Sequence, residues 1–189
     1  MTHLWVRAET RANERRVGVM PEGVSELIAA GFQVTVEEDP TRIIPIDAFR
    51  AAGASIAPTR GWETAPADAI VLGLKELPES DAALRHRHIM FGHAFKEQTG
   101  WQSFLGRFKQ GGGTLYDLEY LVDETGRRVA AFGYWAGFAG AAVSLLAWAA
   151  ADADGMVTGV SQVEAADDMV AAVRDALGYR RPNALVIGA

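Results

Sequence analysis

The 189 residues include no cysteine, which excludes disulfides and thiolate metal sites and fits a reducing compartment. Basic residues are also in short supply. Lys and Arg number 18 against 24 Asp and Glu, for a formal charge of −6. With the cations dispersed there is no basic face for duplex nucleic acid, although local arginine clusters still suit small anionic substrates. No basic stretch followed by an apolar run comes after Met1. Thr2-His3-Leu4-Trp5-Val6-Arg7 leads straight into strand-like residues, so no secretory signal is expected and a cytoplasmic location is. Long charge-free runs are absent with one exception, Val129 to Ala151, which is long enough to cross a bilayer. Gly133, Gly137, Gly140 and many alanines make it only moderately apolar, and it stands alone in an α/β pattern. The expectation is a helix buried between soluble layers, with no membrane partner. What remains is 49% hydrophobic and 22% charged, the balance of a globular chain with ample core.

Strand and helix signals alternate along the chain. Leu4–Ala8 reads as a first strand. Pro21 suits the first turn of a helix striped by Val24, Leu27 and Ile28 and closed by Gly31. Phe32–Val36 alternates as a half-buried strand does. A short helix over Asp47–Ala52 leads to a weak strand at Ser55–Ala57. Ala69–Leu74 is a continuous apolar run, as in a parallel strand covered on both faces. His88–Phe95 is the next strand. Trp101, Phe104, Leu105 and Phe108 recur at helical spacing before Gly111-Gly112-Gly113. Thr114–Leu118 and a short Arg128–Ala131 complete the strands ahead of the uncharged helix. A polar linker, Ala151–Ser161, precedes an amphipathic helix over Val163–Leu177. A final strand, Asn183–Gly188, ends in glycine. The pattern is α/β.

Several polar residues stand at the ends of these apolar runs, where parallel sheets open onto a ligand crevice. Lys75, after Gly73-Leu74, is either a desolvated base or a surface lysine paired with Glu76 or Glu79. His93, after Phe91-Gly92, suits acid–base work or is a core histidine bonded to a carbonyl. Asp117 and Glu119, two apart, would share one strand face and tune a neighbouring base; the plainer alternative is exposed acids or helix caps. Arg127 and Arg128, and likewise Arg15 and Arg16 beside Glu14, suit carboxylate or pyrophosphate binding or simply stand in solvated turns. His86 and His88 lie between Arg85 and Arg87, which predicts a solvated loop. They lack ligand spacing for zinc, and no metal is expected.

Arg7-Ala8-Glu9-Thr10, Gly73-Leu74-Lys75-Glu76, Phe91-Gly92-His93 and Gly112-Gly113-Thr114-Leu115-Tyr116-Asp117-Leu118-Glu119 occur in the order of one family. Gly126 to Gly133 and Ala136 to Ala142 follow in the same order. The chain closely resembles the NAD-dependent, lysine-forming saccharopine dehydrogenases over nearly its whole length, least at Ala151–Arg180. The resemblance implies a Rossmann-like parallel-sheet substrate domain at 1–131. It also implies an interdomain helix and the first elements of a truncated dinucleotide-binding domain at 132–189. The activity it implies interconverts saccharopine, NAD and water with L-lysine, 2-oxoglutarate and NADH, in lysine metabolism. Lys75 would take the amine proton, His93 would handle protons during water addition and carbinolamine collapse, and Glu119 would tune the lysine. Arg16, Lys75, Gln98, Arg128 and Phe132 match substrate contacts, and Arg127 matches a contact to the cofactor. The ammonium of Lys75 and the imidazole of His93 are expected to share one pocket beside an acidic partner.

The family continues past Gly188 with the rest of its glycine loop, so the expectation is a chain inactive alone and missing a C-terminal half. Two other readings of the residues remain: an alanine dehydrogenase-like enzyme of 2-oxo acids, and a non-catalytic substrate-binding module. Arg127-Arg128 and Tyr116-Asp117-Leu118-Glu119 favour the saccharopine assignment over alanine dehydrogenase.

Overall fold

The computed structural model describes residues 1–94, 99–131, 133–157, 159–161, 163 and 165–185. The chain divides into two compact units, Met1–Ala130 and Ala131–Ala189. The first holds a parallel sheet of six strands in the order β3-β2-β1-β4-β5-β6. These are β1 (His3–Val6), β2 (Gln33–Glu37), β3 (Ser55–Ala57), β4 (Ile70–Leu72), β5 (Arg87–Met90) and β6 (Thr114–Asp117). Helices α1 (Pro21–Ala29), α2 (Ile46–Ala51) and α3 (Trp101–Gly111) join β1 to β2, β2 to β3 and β5 to β6, the crossovers that parallel neighbours need.

Alternation sorts the strand residues onto two faces. Leu4 and Val6 of β1 and Val34 and Val36 of β2 pack with Val24 of α1 and Phe49 of α2 into one core. The opposite face carries a second core of Leu77, Leu84, Met90 and Phe108, the last from α3. The expected half-buried alternation of β2 is corrected here, because Val34 to Glu37 are all buried. Its polar positions are sealed by partners. Thr35 meets His3 at 2.8 Å. The Glu37 carboxylate accepts from Trp5 Nε1 and from the amides of Ala8, Arg60 and Trp62 at 2.7–3.0 Å. Four donors satisfy the buried carboxylate.

His86 and His88 are also buried rather than solvated. Arg85 and Arg87 point outward, each donating to a backbone carbonyl at an exposed site. Their period-two alternation with the histidines is that of a strand entering the sheet. Arg128–Ala131 forms no strand; an isolated antiparallel bridge joins Val122 to Arg128, since the Asp123–Gly126 turn folds this stretch back on itself.

The second unit comprises α4 (Gly133–Asp154) and α5 (Ala166–Leu177), packed together. The polar linker begins later than expected, because the helix continues through Asp154. The expected burial of α4 is not observed. Tyr134 and Trp135 are 76% and 59% exposed, and among the described residues of the helix only Ala142 and Ala149 are buried. The reason is that α5 covers a single stripe of a helix that is apolar all round. Asn183–Leu185 have no regular structure, and the remainder of the expected final strand lies outside the described residues.

Candidate active site at the carboxyl ends of the strands

Strand order reverses between β1 and β4, so the tails leaving these two strands flank the crevice of an open α/β sheet. Buried side chains lock the tails together. Arg7 donates through Nη1 to the Ala8 carbonyl at 3.0 Å and through Nη2 to the Lys75 carbonyl. Glu9 accepts from the amides of Leu74 and Lys75 at 2.7 and 3.0 Å and pairs with Arg7 at 3.4 Å. The backbone of Lys75 is therefore held on both its N–H and its C=O. A Cβ at position 73 would overlap the Arg7 guanidinium and force it to shift from these contacts. Burial pulls the Arg7 pKa below its ordinary value, opposed by the charges of Glu9, Glu37 and Glu76.

The β5 tail delivers His93 with φ at +50°, a left-handed conformation uncommon outside glycine and frequent at functional sites. Its Nδ1 lies 3.0 Å from Glu76 Oε1, and its Nε2 lies 3.8 Å from Glu119 Oε2. The Phe91 ring stacks beside it, with centroids 6.1 Å apart. Glu119 in turn pairs with Arg128 Nη2 at 3.0 Å, and Glu76 with Arg11 at 3.5 Å. The result is a line of paired side chains, Arg11–Glu76–His93–Glu119–Arg128, with the imidazole at its centre. Burial acts to raise the Glu76 carboxyl. Hydrogen bonds from its own backbone and from His93, with the charges of His93 and Arg11, nevertheless hold it below its ordinary value. An imidazole between two carboxylates can take up a proton at one nitrogen while the other stays oriented. Beside it opens a cleft of about 400 Å³, lined among others by Glu76, Glu79, Asp81, His93, Trp101 and Arg107.

Other residues expected at the site are distributed unevenly. Asp117 and Glu119 do not share a strand face. β6 ends at Asp117, and Glu119 lies in a 3-10 turn, Leu118–Tyr120, whose Glu119 amide donates to the Asp117 carboxylate. Arg16 directs Nε and Nη2 onto both oxygens of Glu14 at 2.8 and 2.6 Å. Those bonds, led by the side-chain one from Arg16, lower the Glu14 pKa to about 2, and the nearby Lys75 charge contributes. Arg127 and Arg128 part company: Arg128 turns to Glu119, while Arg127 is exposed, its amide donating to Asp123 at 3.0 Å. Gln98 and Phe132 lie outside the described residues. Among the described residues no group of three or more His, Asp or Glu is arranged to hold a metal ion. Sequence reasoning missed Glu76 as the partner of His93, and Arg7 and Glu9 as the lock on Lys75. The available signal was acidic or basic residues placed directly at strand exits.

Residues 5–139 match the family model of the alanine dehydrogenase/PNT N-terminal domain. The chain belongs to this family. Among curated proteins it is similar to the saccharopine dehydrogenase (NAD(+), L-lysine-forming) of Neurospora crassa, at 46% identity over 100% of the chain and 52% of the relative. The enzyme of the same name from Candida glabrata is 45% identical over 98% of the chain and 53% of the relative. The chain thus spans about half the length of the curated relatives it matches. Among solved structures, an L-alanine dehydrogenase superposes with a TM-score of 0.55 at 18% identity, covering 77% of this chain and 38% of the other. That likeness bears on the fold, and it agrees with the Rossmann-like parallel sheet.

Proposed function

We propose that the chain is the N-terminal part of an NAD-dependent, lysine-forming saccharopine dehydrogenase, interconverting saccharopine, NAD and water with L-lysine, 2-oxoglutarate and NADH. The observation that carries this is an imidazole held between two carboxylates at the strand ends, in a chain 46% identical throughout to an enzyme of that name. In this reaction NAD accepts the hydride. Among the described residues of Ala131–Ala189 no glycine turn leads from a strand into a helix, so those residues do not supply a pyrophosphate cradle.

The side chains present account for the proton traffic. Lys75, its backbone fixed by Glu9 and Arg7, takes the proton of the secondary amine. His93 activates the water that adds to the imine and returns the proton to nitrogen as the carbinolamine collapses. Glu76 holds one ring nitrogen while the other works. Glu119 tunes the charge of Lys75. Arg16, Gln98, Arg128 and Phe132 contact the amino-acid substrate, and Arg127 reaches the cofactor. Guanidinium groups suit the substrate carboxylates.

Calorimetry with this chain tests the proposal. Saccharopine and 2-oxoglutarate should bind, and Arg128→Ala should weaken both by about tenfold, the loss of one charge-assisted contact. Pyruvate binding as tightly as 2-oxoglutarate would instead favour an alanine dehydrogenase-like site. A non-catalytic substrate-binding module would be indicated if a longer form carrying the remaining half bound 2-oxoglutarate but not NAD.

A further inference from the structure

We propose that Asp117 is the positioning residue that holds His93 and Glu119 opposite each other; this rests on the proton-handling roles given to those two residues above. A single oxygen, Asp117 Oδ1, accepts from the Gly92 amide at 3.2 Å and from the Glu119 amide at 3.0 Å. Gly92 directly precedes His93, so one atom ties the backbone that delivers the imidazole to the backbone that delivers the facing carboxylate. The gap it spans is finely set. His93 Nε2 and Glu119 Oε2 stand 3.8 Å apart, where a shift of under an ångström makes or loses a direct hydrogen bond.

The placement of Asp117 is otherwise unfavourable. It ends β6 opposite Met90, on the face that carries His88, Leu115 and the α3-side core. Its second oxygen, Oδ2, is buried with no hydrogen-bond partner among the described residues. A carboxylate half-satisfied at the edge of an apolar core costs stability, and β-branched or aromatic residues favour strand positions more. What the carboxylate supplies is an acceptor for two amides at the tails of adjacent strands. Glu76 and Arg128 act on the side chains of His93 and Glu119; Asp117 acts on the backbone, at Gly92 and Glu119.

The test uses the 189-residue chain with isotope-labelled histidine, reading the His93 ring resonances by NMR, with thermal melts on every variant. Glu119→Gln should displace the His93 signals in the unsubstituted chain. In an Asp117→Ala background the same replacement should displace them about threefold less, the sign of a lost coupling between contacting groups. Asp117→Asn keeps an oxygen at the bridging position and should keep the full displacement. Asp117→Thr, strand-compatible but too short for both amides, should lose it. If the alanine variant fails to fold, the Asn–Thr comparison carries the test. Equal displacement in the alanine and unsubstituted chains overturns the proposal, as does no displacement by Glu119→Gln to begin with, or loss in Asn equal to that in Thr. No turnover is measured, so failure of the saccharopine assignment would leave this result standing, and the reverse also holds.

Discussion

His88 sits between the Trp62 and Phe108 rings, at centroid distances of 5.2 and 5.4 Å, with neither ring nitrogen hydrogen-bonded among the described residues. Burial first, then the charges of His86, Arg7 and Arg107, lower its pKa from 6.5 to about 3. The folded chain therefore keeps this ring neutral in a range where the unfolded chain protonates it. Its contribution to stability is complete above about pH 6.5 and is withdrawn as pH falls towards 3, with a slope of up to about 1.4 kcal/mol per pH unit. Glu14, with its pKa lowered to about 2, adds a further loss below its ordinary value of 4.5. Urea titrations across this range should show stability falling from near pH 6.5, before the carboxylates begin to titrate. His88→Phe should flatten the upper part of that fall, and an unchanged profile would refute the assignment.

At the scale of elements, the turn after α3 shows how a helix stop also shapes a sheet. Gly111-Gly112-Gly113 reads in the sequence as a terminator, and Gly112 does take φ +72°. Its neighbours have a different task. A Cβ on Gly111 or Gly113 would overlap the backbone of Leu84, whose carbonyl accepts from the Gly113 amide at 3.0 Å. The approach seats β6 beside β5, where Thr114 pairs with Arg87. Gly111→Ala should cost about 2 kcal/mol or more, as overpacking against rigid backbone does, and chemical denaturation would measure it. Gly106, on the same helix with no atom near its Cβ position, serves as the control: Gly106→Ala should stabilise by a few tenths to about 1 kcal/mol.

For the whole molecule, both hydrophobic cores and all six strands found among the described residues belong to Met1–Ala130. A fragment of those residues should fold alone, with a melting temperature within a few degrees of the longer chain's and cooperative unfolding by circular dichroism. Loss of cooperativity would show that the second unit contributes to the core. Among its described residues that unit has two helices, of which α4 leaves Tyr134 and Trp135 largely exposed, an apolar surface of the kind associated with interaction sites.

Much of the fold is legible without coordinates. The apolar run at Ala69–Leu74 identifies β4 because a strand covered on both faces needs no polar alternation. The stripe through Trp101, Phe104 and Phe108 identifies α3. Lys75, His93 and Glu119 stand out because they close such runs. Less is legible about their partners. The arginines around His86 and His88 hid two buried rings, and α4 read as covered because composition reports apolarity, not what lies against it. Local periodicity determines which residues become strand or helix, since those conformations depend on near neighbours along the chain. Only the tertiary structure decides that Glu76, 17 positions before His93, holds its ring and that Asp117 binds the two strand tails, because strand order and register bring distant residues together and neither is written in any one segment.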